Sequence, residues 1–235
     1  MSTLLVCATP QECRFLPLEG AREAIIGRRQ AYVLNDAATL VISGVGKVNT
    51  AQAVTAAVEA GQRISAVVSF GAAGAFPAAG LATGELLVAT EEVSDELVVL
   101  PGRLASLEEI GLPLGGGSEP NYGRFPADPT LSEALLAACE RATGTKAVSG
   151  TFLTVSRITS SLAESERLTR CLGRVLCESM EGAAAAQVAH HYGLPFGELR
   201  AVSNQIEDRE RQRWDFEAAA ISCARALGAF LGGPR

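Results

Sequence analysis

The sequence predicts an α/β fold, a three-layer α/β/α sandwich around a central mixed sheet. Three observations carry this expectation. Short apolar runs rich in β-branched residues recur along the chain and alternate with helical patterns. Those runs are apolar at both alternating positions, as strands covered on both faces are. The hydrophobic fraction of 48% is dominated by Ala while aromatics reach only 5%, so the helices carry small side chains suited to close packing on a sheet.

The elements follow in chain order. The run Thr3-Leu4-Leu5-Val6-Cys7 reads as the first strand, and residues 11–17 as a short helix. Strands over 32–34 and 39–43 lead into a helix over 47–60. Apolar runs at 66–70 and 85–89 are the next two strands. Residues 101–126 break the alternation with Gly102, Gly111, Pro113, the triplet Gly115-Gly116-Gly117, Pro120 and Gly123, and read as a loop insertion. Asp128-Pro129 starts a helix over 129–142 that Gly144 stops. Beyond it come a strand over 147–155, a helix over 162–172, a strand over 174–177, a helix over 180–192, a strand over 196–202 and a helix over 215–230. No repeat or linker divides the chain, so 1–235 reads as a single domain.

Composition excludes several classes. The net charge is −6 with no concentration of Lys or Arg, which speaks against a nucleic-acid partner. No uninterrupted apolar run is long enough to span a bilayer, and no basic segment precedes the first strand, so a membrane partner and a signal peptide are not expected and a cytoplasmic location is. The six cysteines form no C-x-x-C pair and are expected as reduced thiols. His190 and His191, the only histidines, would point about 100° apart on a helix, which does not make a metal face.

Ligands of α/β sheets bind beyond the carboxyl ends of the strands, so the residues following each run are the informative ones. They are Ala8-Thr9-Pro10-Gln11-Glu12, Ser43-Gly44-Val45-Gly46-Lys47, Phe70-Gly71-Ala72-Ala73-Gly74, Cys177-Glu178-Ser179-Met180-Glu181-Gly182 and Ala201-Val202-Ser203-Asn204. Taken singly, each glycine cluster is a tight turn, and Glu12 or Glu181 is an acidic residue in the first turn of a helix. The Gly44/Gly46 pair lacks the third glycine of a dinucleotide fingerprint, and neither a P-loop nor a G-x-S-x-G elbow is present.

In combination, order and spacing, these segments resemble the nucleoside phosphorylase and nucleosidase superfamily, within it the methylthioadenosine/S-adenosylhomocysteine nucleosidases and the futalosine hydrolases. The resemblance runs from the first strand to the last helix and is strongest from Glu178 to Asn204. It implies a nucleoside phosphorylase-like form of the sandwich, a small nucleoside as substrate, a homo-oligomer of two or more copies, and no metal or organic cofactor.

Residue by residue, the resemblance makes Glu12 the general base that takes a proton from the attacking water. Glu181, with the Met180 amide, holds the ribose hydroxyls, because a carboxylate can accept from two of them. Phe152, Ile158, Ser203 and Asn204 surround the base, while Gly44, Gly46, Ala72 and Gly74 form the turns that admit nucleophile and substrate. Asn204 is also assigned a catalytic part. Adenosine-cleaving members carry Asp there, whereas an amide offers NH2 to O6 and a carbonyl to N7–H of a 6-oxopurine. A 6-amino group would set donor against donor, at about 1–3 kcal/mol for an unpaired buried group.

A carboxylate at Glu12, with no arginine in the two turns where phosphorylases hold phosphate, favours water over phosphate as nucleophile. Two positions depart from the family pattern: Ala72 replaces a serine, and Ile158 stands where an aromatic residue stacks on the base. Arg209, beside Asn204, is the candidate partner for a carboxylate on the 5′ side of the substrate.

The expected activity is hydrolysis of futalosine to hypoxanthine and dehypoxanthine futalosine, a step toward menaquinone. Two alternatives stand beside it: an adenine-releasing methylthioadenosine/S-adenosylhomocysteine or aminodeoxyfutalosine nucleosidase, and a non-catalytic nucleoside-binding protein on the same fold.

Overall fold

The computed structural model describes residues 2–60, 63–115, 120–208 and 210–232. The chain runs β1 (Ser2–Cys7), α1 (Pro10–Cys13), β2 (Arg22–Ile26), β3 (Arg29–Asn35), β4 (Ala38–Ile42), α2 (Lys47–Glu59), β5 (Ile64–Ala75), β6 (Leu86–Ser94), β7 (Leu97–Leu100), β8 (Arg103–Ser106), β9 (Arg124–Pro126), α3 (Pro129–Thr143), β10 (Val148–Thr154), α4 (Leu162–Leu172), β11 (Cys177–Ser179), α5 (Gly182–His191), β12 (Phe196–Gln205) and α6 (Phe216–Phe230). The mixed sheet runs β11-β10-β6-β12-β5-β1-β4-β3-β2, with β9 on the side of β6.

Alternation along the inner strands sorts the core into two layers. Leu5 and Cys7 of β1 and Val68 and Phe70 of β5 pack with α3 and α6 through Leu135, Cys139, Cys223 and Leu227. Leu4 and Val6 of β1 and Val67 of β5 pack on the other face with α2 and α5 through Ala53, Val54, Ala185 and Ala186. The alanines let those helices lie close to the sheet, as the composition predicts. Helix α3 starts where expected: Asp128 Oδ1 accepts from Leu131 N at 2.8 Å with Pro129 behind it, and Gly144 closes the other end at φ 72°.

One end of the sheet closes on itself. β11 pairs with β10 in parallel and with β5 antiparallel, so β5, β12, β6, β10 and β11 form a complete circuit. Their side chains share one cluster of Ala73, Ala75, Leu87, Ala89, Phe152, Cys177 and Val202. β12 sits between β5 and β6 at the middle of the path.

Four expectations change in detail. The first helix is a single turn over Pro10–Cys13 rather than 11–17, because the chain leaves it at Arg14 toward the β2–β3 hairpin. The strand expected at 174–177 is Cys177–Ser179; Val175 and Leu176 before it pack as core residues, and just ahead of the strand Leu176 N donates to Thr151 O of β10 while Leu176 O accepts from Phe76 N. The helix expected from residue 180 starts at Gly182, which leaves Met180 and Glu181 at the sheet edge. The 101–126 insertion is not loop throughout. β8 folds back on β7 through a turn at Pro101-Gly102, and β9 pairs with β6. Its glycines and prolines punctuate short strands.

Candidate active site

A cavity of about 240 Å3 opens where β1, β5, β11 and β12 end. Its walls include Ala8, Thr9, Glu12, Ala72, Gly74, Glu178, Met180, Glu181 and Ser203. These residues come from segments far apart in the chain, brought together by the parallel pairing of β1 with β5 and of β5 with β12.

Glu12 sits at the third position of α1 and turns back on the strand end. Its Oε2 accepts from Ala8 N at 2.9 Å and from Thr9 N at 3.0 Å, and its Oε1 accepts from Ala72 N at 3.0 Å. Gly71 makes room for it: a Cβ there would come within 2.1 Å of Glu12 Oε1. Glu181, at the start of α5, accepts from Gly46 N at 2.9 Å and from Met180 N at 3.2 Å. Burial raises its pKa, opposed by the Arg200 charge.

Arg200 joins the two carboxylates from below. Its Nη1 lies 4.0 Å from Glu12 Oε1 and 3.7 Å from Glu181 Oε2, and its Nε donates to Glu198 Oε1 at 2.6 Å. Burial works against the guanidinium charge, but Glu198, Glu181 and Glu12 outweigh it and raise the Arg200 pKa. Behind it, Thr154 Oγ1 donates to Glu92 Oε2 at 2.7 Å. Burial and then the Glu198 charge push the Glu92 carboxyl well up. The free oxygens of the pair, Glu92 Oε1 and Glu198 Oε2, both crowd Gly182, where a Cβ would meet them at 2.3 and 2.2 Å. Gly182→Ala is therefore expected to destabilise the fold by about 1–3 kcal/mol, the cost of overpacking. Thermal denaturation measures it, and an unchanged Tm would show that the pair has room to move.

At the other end of the cavity Gly74 lies between two polar side chains. In the sheet register it is opposite Glu178 on β11 and opposite Asn204 on β12. Ser203 Oγ donates to Asn204 Oδ1 at 2.8 Å, and Asn204 Nδ2 donates to Gln205 O at 3.3 Å, which fixes the amide's orientation. Glu178 accepts from Thr159 N at 2.9 Å and from Thr159 Oγ1. Burial pushes the Glu178 carboxyl up to about 7, with the Thr159 bonds pulling the other way. Trp214 and Phe216, stacked at 5.1 Å between centroids, form an aromatic wall.

Of the residues singled out from sequence, Glu12, Ala72, Gly74, Ile158, Met180, Glu181 and Ser203 line this cavity. Gly46 stands behind Glu181 as a donor to it, and Gly44 N bonds Ala8 O at 2.9 Å. Asn204 is buried behind Gly74 rather than on the wall. Phe152 is placed differently from the expectation: its ring is fully buried in the closed end of the sheet, because its position on β10 points into that core. Arg209 lies outside the described residues. Sequence reasoning passed over Glu178 and Arg200. The signal for Arg200 was there, since Glu198 and Arg200 are two apart in the otherwise apolar run 196–202 and so share a face.

No helix among the described residues is long and apolar enough to cross a membrane. Among those residues, no group of three or more His, Cys, Asp or Glu could hold a metal ion.

A mixed sheet between two helical layers, with carboxylates collected at its strand ends, is the arrangement that comparison with known proteins assigns to the class of N-glycosyl hydrolases acting on nucleosides. The sequence model of the Phosphorylase superfamily matches residues 4–232, and the chain belongs to that superfamily. It is 36% identical to a futalosine hydrolase of Thermus thermophilus over 197 residues, covering 82% of each chain. It is 28% identical to a 5′-methylthioadenosine/S-adenosylhomocysteine nucleosidase of Halalkalibacterium halodurans, over 82% of this chain and 79% of that one. Among solved structures, the Neisseria meningitidis 5′-methylthioadenosine/S-adenosylhomocysteine nucleosidase in complex with methylthio-immucillin-A superposes with a TM-score of 0.82 at 25% identity, covering 98% of both chains. The nucleoside phosphorylase fold and the nucleosidase class are thereby established.

Proposed function

We propose that this nucleosidase hydrolyses the N-glycosidic bond of futalosine, releasing hypoxanthine and leaving dehypoxanthine futalosine for menaquinone synthesis. The observation that carries the reading is the amide of Asn204, which lies directly behind the cavity-lining Gly74 and is oriented by Ser203. The hydroxyl of Ser203 occupies one lone pair of Oδ1 and Gln205 O takes one Nδ2 hydrogen, so the second lone pair and the other Nδ2 hydrogen remain for N7–H and O6 of a 6-oxopurine. The likeness to the Thermus futalosine hydrolase supports the same choice.

In this reading Glu181 accepts the ribose hydroxyls and Met180 covers the sugar. Glu12 takes a proton from water as the ribosyl cation develops, and Arg200 holds Glu12 and Glu181 in register beneath the sugar. Trp214 and Phe216 supply the aromatic surface that Ile158 does not. Arg209 pairs the carboxylate of the 5′ substituent. The chain acts as a single cytoplasmic domain in a homo-oligomer, without metal or organic cofactor.

The test is the base released from futalosine, aminodeoxyfutalosine, methylthioadenosine and inosine, with and without phosphate. Hypoxanthine from futalosine without phosphate is expected; adenine alone, or strict phosphate dependence, would sink the proposal. Asn204→Asp is further expected to shift the kcat/KM ratio toward 6-amino nucleosides by roughly 5- to 150-fold, the equivalent of one mispaired buried group. An unchanged ratio would take the base choice away from this residue.

A further inference from the structure

Cleavage leaves the electron pair of the broken C1′–N bond on the base, which must then take up a proton. The Asn204 amide has none to give. Glu178 is a cavity-lining carboxyl with no part in the reaction so far. It lies across Gly74 from Asn204: a Cβ on Gly74 would be 3.2 Å from Asn204 Nδ2 and 3.5 Å from Glu178 Cγ. The other two carboxyls of the cavity wall, Glu12 and Glu181, both face Arg200 at 4.0 Å or less. Among the described residues, no cationic side chain makes an ion pair with Glu178. Each of its oxygens takes one bond from Thr159 and keeps a further position, enough to carry a proton and present it to a ligand.

We propose that Glu178 is the general acid of the reaction, protonating the base as it leaves while Asn204 holds the base's edge. The inference rests on the hydrolytic reading above. The C1′–N bond breaks with its electron pair moving into the imidazole ring of the base, and Glu178 supplies the one proton that ring takes, at N7, where the Asn204 carbonyl then accepts from it. The oxygen of water bonds to C1′ and gives its proton to Glu12. Between turnovers the proton on Glu12 returns to Glu178 through solvent, so the net change is the addition of one water.

The surroundings suit an acid that is neutral near pH 7. Burial, reinforced by the charges of Glu164 and Asp95, raises Glu178 to about 7. Glu164 is itself paired with Arg157 and Asp95 with Lys47, while Glu12 and Glu181 across the cavity are faced by Arg200. A general acid works only while protonated, so turnover should fall as pH rises through about 7.

Glu178→Gln tests this with two substrates on one sugar: futalosine, and the 4-nitrophenyl glycoside of the same 5′-substituted ribose, whose leaving group needs no proton. The expected result is a loss of kcat of roughly 100-fold or more on futalosine, under about 3-fold on the nitrophenyl glycoside, and disappearance of the falling limb above pH 7. Equal losses on both substrates would mean that Glu178 only positions the Thr159 segment, and no loss would dismiss it; either overturns the proposal. Should the variant not fold, the wild-type protein decides: a kcat for futalosine that stays flat from pH 6 to 9 also overturns it. Wild-type failure to release hypoxanthine is a different failure, that of the substrate assignment, and the same pair of measurements then applies to whichever purine nucleoside the protein cleaves.

Discussion

Glu12→Gln is expected to lose turnover by roughly 100- to 10,000-fold, the range that a positioned general base contributes, while still binding the nucleoside. The amide keeps the length of the side chain and one oxygen for Ala8 N and Thr9 N, so the turn after β1 survives. What it loses is the basic oxygen facing the cavity. Its NH2 would also oppose Ala72 N, which donates to the native carboxylate at 3.0 Å. Single-turnover kinetics together with calorimetric binding of substrate separate the two effects. Turnover near that of the wild type would dismiss Glu12 as the base.

The second large effect is on stability. Arg200 is buried with a relative exposure of 1%, and it is the cation that Glu198, Glu181 and Glu12 share. Arg200→Met keeps much of the volume but leaves three carboxylates without a counter-charge. Removing one partner of a buried ion pair costs about 3–5 kcal/mol. For a chain of this size that is a fall in Tm on the order of 10 °C. Glu198→Gln in the same background should recover part of the loss, because it removes one of the stranded charges; a double variant no more stable than Arg200→Met would show that the guanidinium acts through packing alone. Activity of the single variant should fall too, since Glu12 and Glu181 lose the group that sets their spacing.

Most of this architecture is legible in the amino-acid sequence. Central strands such as β1 and β5 announce themselves because burial on both faces demands apolar residues at every position, and α3 because Asp128, Pro129 and Gly144 each satisfy a terminal backbone group. The edge hairpin of β2 was not legible. Its sequence Arg22-Glu23-Ala24-Ile25-Ile26 is half exposed, and exposed strands carry little hydrophobic pattern. Closure of the sheet through β11 was hidden for another reason: three residues cannot show a period, and their pairing with β5 is set by tertiary packing.

At the site, motif residues that touch ligand or turn backbone were readable, and the groups that support them less so. Arg200 and the Glu92/Glu198 pair act from beneath the cavity floor, where a few charges within β6 and β12 look like exceptions to apolar runs. Phe152 shows the reverse error. An aromatic residue near a base site invites a stacking role, but strand alternation turns this ring into the core.

The place of β12 in the sheet has a consequence for how the protein comes to exist. It is the last strand of the described chain, yet it pairs with β5, some 130 residues earlier, and with β6 on its other side. Until residues 196–205 are available, β5 and β6 have no shared neighbour and the central row of the sheet stays open. Contacts of such wide sequence separation close large loops before they are rewarded, so assembly should be slow. During synthesis the unpaired edges of β5 and β6 are then exposed for the time it takes to make the second half of the chain, which is when this fold is most vulnerable to joining the wrong strand.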